Sequence, residues 1–248
     1  MKTLPCVSVA NMRESDRKTI ENYVPSLTLM FRAAMGVFRA GDWPGETVIA
    51  VGSGNNGGDG FALACILRQS GKRCRVVTLS ERLSPDSAHF AARARELGVP
   101  VAPYAPCAFD GADTVVDCLL GTGFTGTPRE PYAAAIREMN AAGASVVSVD
   151  IPSGLNGDTG EADAAVYSDL TVTVGFVKDG LIAPGAGRFI SRLVCADIGI
   201  VLDRTERVLC APEDFDASRE NLLPAPPWLE LDPIDVREIP YDPEGPIL

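Results

Sequence analysis

Three polar, glycine-rich segments carry the residues able to do chemistry. The first, Gly52-Ser53-Gly54-Asn55-Asn56-Gly57-Gly58-Asp59-Gly60, follows the apolar run from Thr47 to Val51. Glycines there let the backbone approach a ligand and aim unpaired N–H groups at an anion. The second, Gly121-Thr122-Gly123-Phe124-Thr125-Gly126-Thr127, lies just past Asp117. Its interleaved glycines and threonines make a suitable bed for a pyrophosphate. The third is Asp150-Ile151-Pro152-Ser153-Gly154. Asp117 and Asp150 each end an apolar run, and a carboxylate buried there requires a partner or a cation. Asn56, Asp117 and Ser153 are all oxygen donors, which hard cations prefer to imidazole or thiolate.

Plainer readings stand beside these. Asp59 could be the N-cap of the following helix, and Asp150 could close an Asx-type turn. Gly52-x-Gly54-x-x-Gly57 could be a dinucleotide fingerprint, with Glu81 as the ribose-binding acid, which leaves an NAD-binding oxidoreductase as an alternative. That match is weak, because glycine-rich turns satisfy it easily and Asp59 would set a negative charge beside the pyrophosphate. His89, the only histidine, falls in an expected helix as a surface residue. A lone histidine argues against a zinc site and a Ser-His-Asp triad.

The elements that must position these segments follow from hydrophobic pattern. Strands are predicted at 47–51, 75–79, 114–120, 144–150, 170–176 and 193–198, alternating with helices near 61–68, 85–97 and 131–142. Residues 1–45 read as helical; Ser26 is a candidate cap for a helix with Leu27, Met30, Phe31, Ala34, Met35 and Phe38 on one face. Alternating elements with continuously apolar strands predict an α/β fold, a parallel sheet covered on both faces. Ligands bind such sheets at the carboxyl ends of the strands, so the three segments are expected to converge on one crevice.

Composition narrows the class. The chain has 248 residues, 46% of them hydrophobic, with no apolar run of the roughly 18 residues a membrane span needs. The N-terminus lacks the long apolar stretch of a secretory signal. Seven cysteines include no Cys-x-x-Cys pair, and Cys65, Cys74, Cys118 and Cys195 sit in apolar segments, so a reducing cytoplasm is the expected compartment. Net charge is −11, of which residues 203–248 supply −8 through twelve acids and four arginines. That segment holds eight of the nineteen prolines and reads as an extended or partly disordered arm after one domain at 1–202. No basic patch is present, which argues against nucleic acid as a ligand.

Four motifs in this order and spacing resemble the NAD(P)H-hydrate epimerase (YjeF N-terminal domain) family over roughly residues 10–202. They are Pro25-Ser26-Leu27-x-Leu29-Met30, Asn55 to Gly60, Val116-Asp117-x-Leu119-x-Gly121-Thr122-Gly123, and Val149-Asp150-Ile151-Pro152-Ser153-Gly154. The resemblance implies a Rossmann-like three-layer αβα sandwich around a central, mostly parallel sheet. It implies interconversion of the S and R epimers of hydrated NADH and NADPH, with K+ held by Asn56, Asp117 and Ser153. Asn55, Asn56, Gly57, Gly58 and Asp59, Gly121 to Thr127, and Asp150 would contact the hydrated dinucleotide, and Asp150 is the residue expected to move the proton. Two positions depart from the family pattern: Ala34 stands where glycine is usual, and Asp179 replaces the proline that usually follows the lysine matched by Lys178. No detailed role is therefore assigned to Lys178. A homodimer is implied. Residues 207–227 resemble the linker to an ATP- or ADP-dependent dehydratase domain, so that partner is expected to be a separate protein. The competing class is a binding scaffold of the same fold, for which the acidic tail with Trp228 and Tyr241 would be a docking arm.

Overall fold

Strands that are apolar at every position must be covered on both faces, and the computed structural model, which describes residues 2–248, has that arrangement. Strand β1 (Thr3–Val7) and helices α1 (Val9–Asn22) and α2 (Ser26–Ala40) precede β2 (Glu46–Val51). Then come α3 (Asn55–Gln69), β3 (Arg73–Thr78), α4 (Pro85–Glu96), β4 (Val101–Pro103) and β5 (Thr114–Cys118). These are followed by α5 (Tyr132–Ala141), β6 (Ser145–Val149), β7 (Leu170–Val174), β8 (Val177–Lys178) and the short α6 (Asp179–Ile182). The last strands are β9 (Leu193–Asp197), β10 (Arg207–Cys210), β11 (Leu222–Pro224) and β12 (Ile234–Asp235).

Eight strands form one sheet in the order β12-β9-β7-β6-β5-β2-β3-β4, every neighbouring pair parallel. Alternation along β2 shows the two faces. Ile49 and Val51 pack with α2, α3 and α4, while Val48 and Ala50 pack with Ala135, Ile136 and Met139 of α5. A smaller sheet, β11-β10-β1-β8, shares an apolar cluster with Leu193 and Cys195 of β9. The three-layer expectation therefore holds. All seven cysteines are free, six of them buried. No helix among the described residues is long and apolar enough to cross a membrane.

Two expectations give way. Residues 3–7 are a strand rather than helix, because β1 pairs antiparallel with β10 and parallel with β8, partners that local periodicity does not reveal. Residues 203–248 are not a loose arm. Their few apolar side chains, among them Leu209, Val236 and Ile247, are buried against the preformed core, which offsets the ordering cost. The start of this segment also holds α1 in place. Buried Asn11, Ser15 and Thr19, one turn apart on α1, bond the backbone of Arg204, Asp203 and Val201 at 2.8, 2.9 and 2.9 Å.

Candidate functional site

Strand order reverses between β2 and β5, the place where open parallel sheets leave a crevice beyond their carboxyl ends. The turns after β2 and β5 touch there. A Cβ on Gly52 would lie 2.0 Å from the Leu119 carbonyl oxygen, so only glycine allows that approach. Helix α3 then begins inside the glycine-rich segment. Gly54 is its N-cap, and Asn55 to Gly60 form its first turns. Asp59 is thus a helical residue and not the cap. Likewise Pro25 occupies the cap position of α2, with Ser26 the first helical residue.

A cavity of about 550 Å³ opens at this point. Its walls include Asn55, Asn56 and Asp59 from α3, Gly121 to Phe124 from the turn after β5, Asp150 after β6, and Lys178. Helix α1 contributes Arg13 and Asp16 to the same cavity. Two of the expected oxygen donors, Asp117 and Ser153, are fully buried and do not line it. Asp117 Oδ1 accepts from Leu119 N (3.2 Å) and Ser153 Oγ (2.5 Å), and Oδ2 from Ser153 N (2.8 Å) and Ser148 Oγ (3.0 Å). None of these contacts is cationic. Burial pushes this carboxyl above the ordinary aspartate range, against the downward pull of its donors. Asn56 is about nine-tenths buried, and among the described residues neither its amide oxygen nor its amide nitrogen has a hydrogen-bond partner. An orphaned buried amide oxygen and a buried carboxylate without a cationic partner are what an oxygen-liganded monovalent ion would satisfy. Among the described residues no three His, Cys, Asp or Glu side chains gather in one group.

Asp150 has φ +68°, a left-handed conformation rare for a non-glycine residue and common at functional positions. That turn brings its carboxylate over the end of β7. Oδ1 accepts from Lys178 Nζ at 2.5 Å and from Val174 N at 3.4 Å, while Oδ2 has no hydrogen-bond donor among the described residues. Lys178 is only 1% exposed and also donates to Thr173 Oγ1 (3.1 Å) and the Val174 carbonyl (2.7 Å). This pairing gives Lys178 a place in the site, where the sequence left its role unassigned. Its neighbour Asp179 turns away to Arg207, whose Nε donates at 3.1 Å, and to the Cys6 thiol. A lone lysine directly after the apolar Phe176-Val177 pair was the available signal.

Asp59 lines the cavity from the first turns of α3. Burial first, then the charges of Asp150 and Asp16, push its carboxyl well above the ordinary aspartate range, with Lys178 opposing. Asp16 is shifted in the same direction, chiefly by burial.

The structure does not bring every expected residue into the cavity. Gly57 and Gly58 pack inside α3, where a Cβ on Gly58 would meet Met30 and Ser87. Thr125 and Gly126 line a second depression of about 320 Å³ with Asn156 and Glu161, and Thr127 Oγ1 bonds Asp163 at 2.5 Å. Glu81 is exposed and outside the cavity, which weakens the fingerprint reading. His89 bonds the Tyr241 hydroxyl at 2.6 Å and does not line the cavity. Arg13 and Asp16 were missed, since nothing in the pattern of α1 distinguishes a cavity-facing charge from a solvated one.

The chain is 36% identical to the NAD(P)H-hydrate epimerase of Limosilactobacillus fermentum, over 79% of this chain and 97% of that protein. It is 39% identical to the bifunctional NAD(P)H-hydrate repair enzyme Nnr of Pyrobaculum aerophilum, over 84% of this chain and 44% of that protein. The chain thus spans less than half the length of that bifunctional relative. The crystal structure of yeast ynu0 shares the fold, with a TM-score of 0.64 at 24% identity over 71% of this chain and 83% of that one. The pattern of the family described as YjeF-related protein N-terminus matches residues 26–180, and the chain belongs to that family.

Proposed function

We propose that the chain is an isomerase, an NAD(P)H-hydrate epimerase that interconverts the S and R forms of hydrated NADH and NADPH. The observation that supports this most is Asp150, a cavity-lining residue in a left-handed turn whose Oδ1 is bound by a buried lysine while Oδ2 has no hydrogen-bond donor among the described residues.

Inverting the hydrated carbon requires its C–O bond to break and re-form from the other face of the ring. The ring nitrogen lone pair delocalises the positive charge left as the oxygen departs. The Lys178–Asp150 pair supplies the proton that lets that oxygen leave as water. Asp150 then stabilises the cation and takes a proton back when water adds to the opposite face. Lys178, bound to Oδ1, orients the carboxylate and leaves Oδ2 for the substrate. No external hydride donor enters, because the nicotinamide is the substrate. Asn56, Asp117 and Ser153 would hold K+, which would supply the charge that offsets buried Asp117 and order the turns around it. A dehydratase acting on hydrated NAD(P)H would consume one epimer.

Asp150→Asn is expected to keep the fold and lose epimerisation by about 10²-fold or more, the usual scale for proton-transfer catalysis. Chiral chromatography of a hydrated NADH mixture measures it. Interconversion at the parent rate by this variant would remove Asp150 from the chemistry.

A further inference from the structure

We infer that Arg13 is the residue that captures the diphosphate of the substrate, an inference that rests on the epimerase reading given above. Six charged side chains line the cavity: Arg13, Asp16, Asp59, Asp86, Asp150 and Lys178. Four are acids, none of which attracts the two negative phosphates of a dinucleotide, so a cation facing them is what the site needs. Lys178 is not available, being buried and bound to Asp150 at 2.5 Å. The neighbouring cations on α1 are also engaged: Arg17 pairs with Glu14 at 2.6 Å, and Lys18 pairs with Asp203. Arg13 has no carboxylate within ion-pair distance among the described residues.

Its position fits the task. Arg13 is exposed, and its Nη2 donates to the Thr122 carbonyl at 3.0 Å. A Cβ on Gly123 would lie 3.9 Å from the same nitrogen, so the guanidinium sits over the glycine-threonine turn with no side chain between them. One of its five N–H donors is used, and the remaining fork is free for a planar, bidentate contact with phosphate oxygens. The backbone of the 121–124 turn then forms one side of the diphosphate subsite and Arg13 the other. Helix α1 lies outside the segment that the family pattern matches, which is why the glycine-rich motifs do not point to this group.

Arg13→Gln is expected to raise KM for the hydrated dinucleotide by about tenfold to a hundredfold, the scale of a hydrogen bond to a charged group, with kcat within about threefold of the parent. Arg13→Lys keeps the charge without the fork and is expected to fall between the two. ADP-ribose, which carries the diphosphate and no nicotinamide, tests binding by calorimetry without any turnover. The parent is expected to bind it, and Arg13→Gln to bind it at least about tenfold more weakly. Equal affinities, no measurable binding by the parent, or a loss confined to kcat would each overturn the assignment. If the parent binds ADP-ribose through Arg13 yet fails to epimerise, the diphosphate subsite stands and the activity falls; epimerisation indifferent to Arg13 gives the reverse.

Discussion

At the scale of single residues, the site is built from side chains whose bonding is incomplete or strained. Asn56 hides two polar amide atoms with nothing to bond, a cost that folded proteins seldom leave in place. Asp117 places a carboxylate in the interior with hydrogen bonds but no counter-charge. One bound cation would relieve both. Melting in potassium chloride is therefore expected to exceed melting in choline chloride at equal ionic strength. The gain is about 1.4 kcal/mol when the ion stands tenfold over its Kd, or about 3 °C for a chain of this size. Asn56→Ala should erase that difference. Equal melting in the two salts for the parent would remove the cation from the site. Asp117 and Asp150 were legible in the sequence because polar residues ending apolar strands have few places to go, and Asn56 because it sits in the glycine-rich segment that follows β2. Lys178 was not. Its burial depends on the chain returning from β7 to β8 beneath Asp150, and the atypical Asp179 beside it suggested irrelevance. The structure shows that Asp179 belongs to a different contact, with Arg207.

At the scale of elements, the parallel core was legible because six strands of continuous apolar residues each announce burial on both faces. What could not be read were the strands that exist only through pairing. Segments β1 and β8 are short, and their partners lie far away in the chain. The acidic C-terminal segment was misread for a related reason: its mean composition resembles an unfolded arm, yet its few apolar groups are placed where the core has room. Tyr241 shows this most clearly. Its ring lies 4.9 Å from Phe31 and 5.2 Å from Phe90, centroid to centroid, and its hydroxyl meets His89. Two aromatic contacts and one hydrogen bond are worth about 2–4 kcal/mol together. Tyr241→Ala is expected to destabilise the protein by about that amount in urea unfolding. Because α2 carries both Phe31 and the cavity-lining Leu29 and Met30, the loss should also loosen that wall. A variant as stable as the parent would mean that the segment rests on the core without contributing to it.

At the scale of the whole molecule, charge is the organising quantity. A chain of net charge −11 places four aspartates around one cavity and balances them with one buried lysine and one free arginine. This arrangement costs stability, and the sign follows from linkage. Asp59 has a folded-state pKa well above its unfolded value, raised first by burial and then by Asp150 and Asp16. The native state therefore holds a proton that the unfolded state releases once pH passes the ordinary aspartate range. Stability is greatest below that range and declines as pH climbs toward the raised folded value. Asp59→Asn removes the titration while keeping size and polarity. Melting temperature measured from pH 5 to pH 8 at fixed salt should fall more steeply in the parent, with the variant gaining ground as pH increases. Parallel curves would show that Asp59 titrates normally. In that case the carboxylate charge returns to the cavity, and the balance that lets a diphosphate enter would have to come from Arg13 and the cation together.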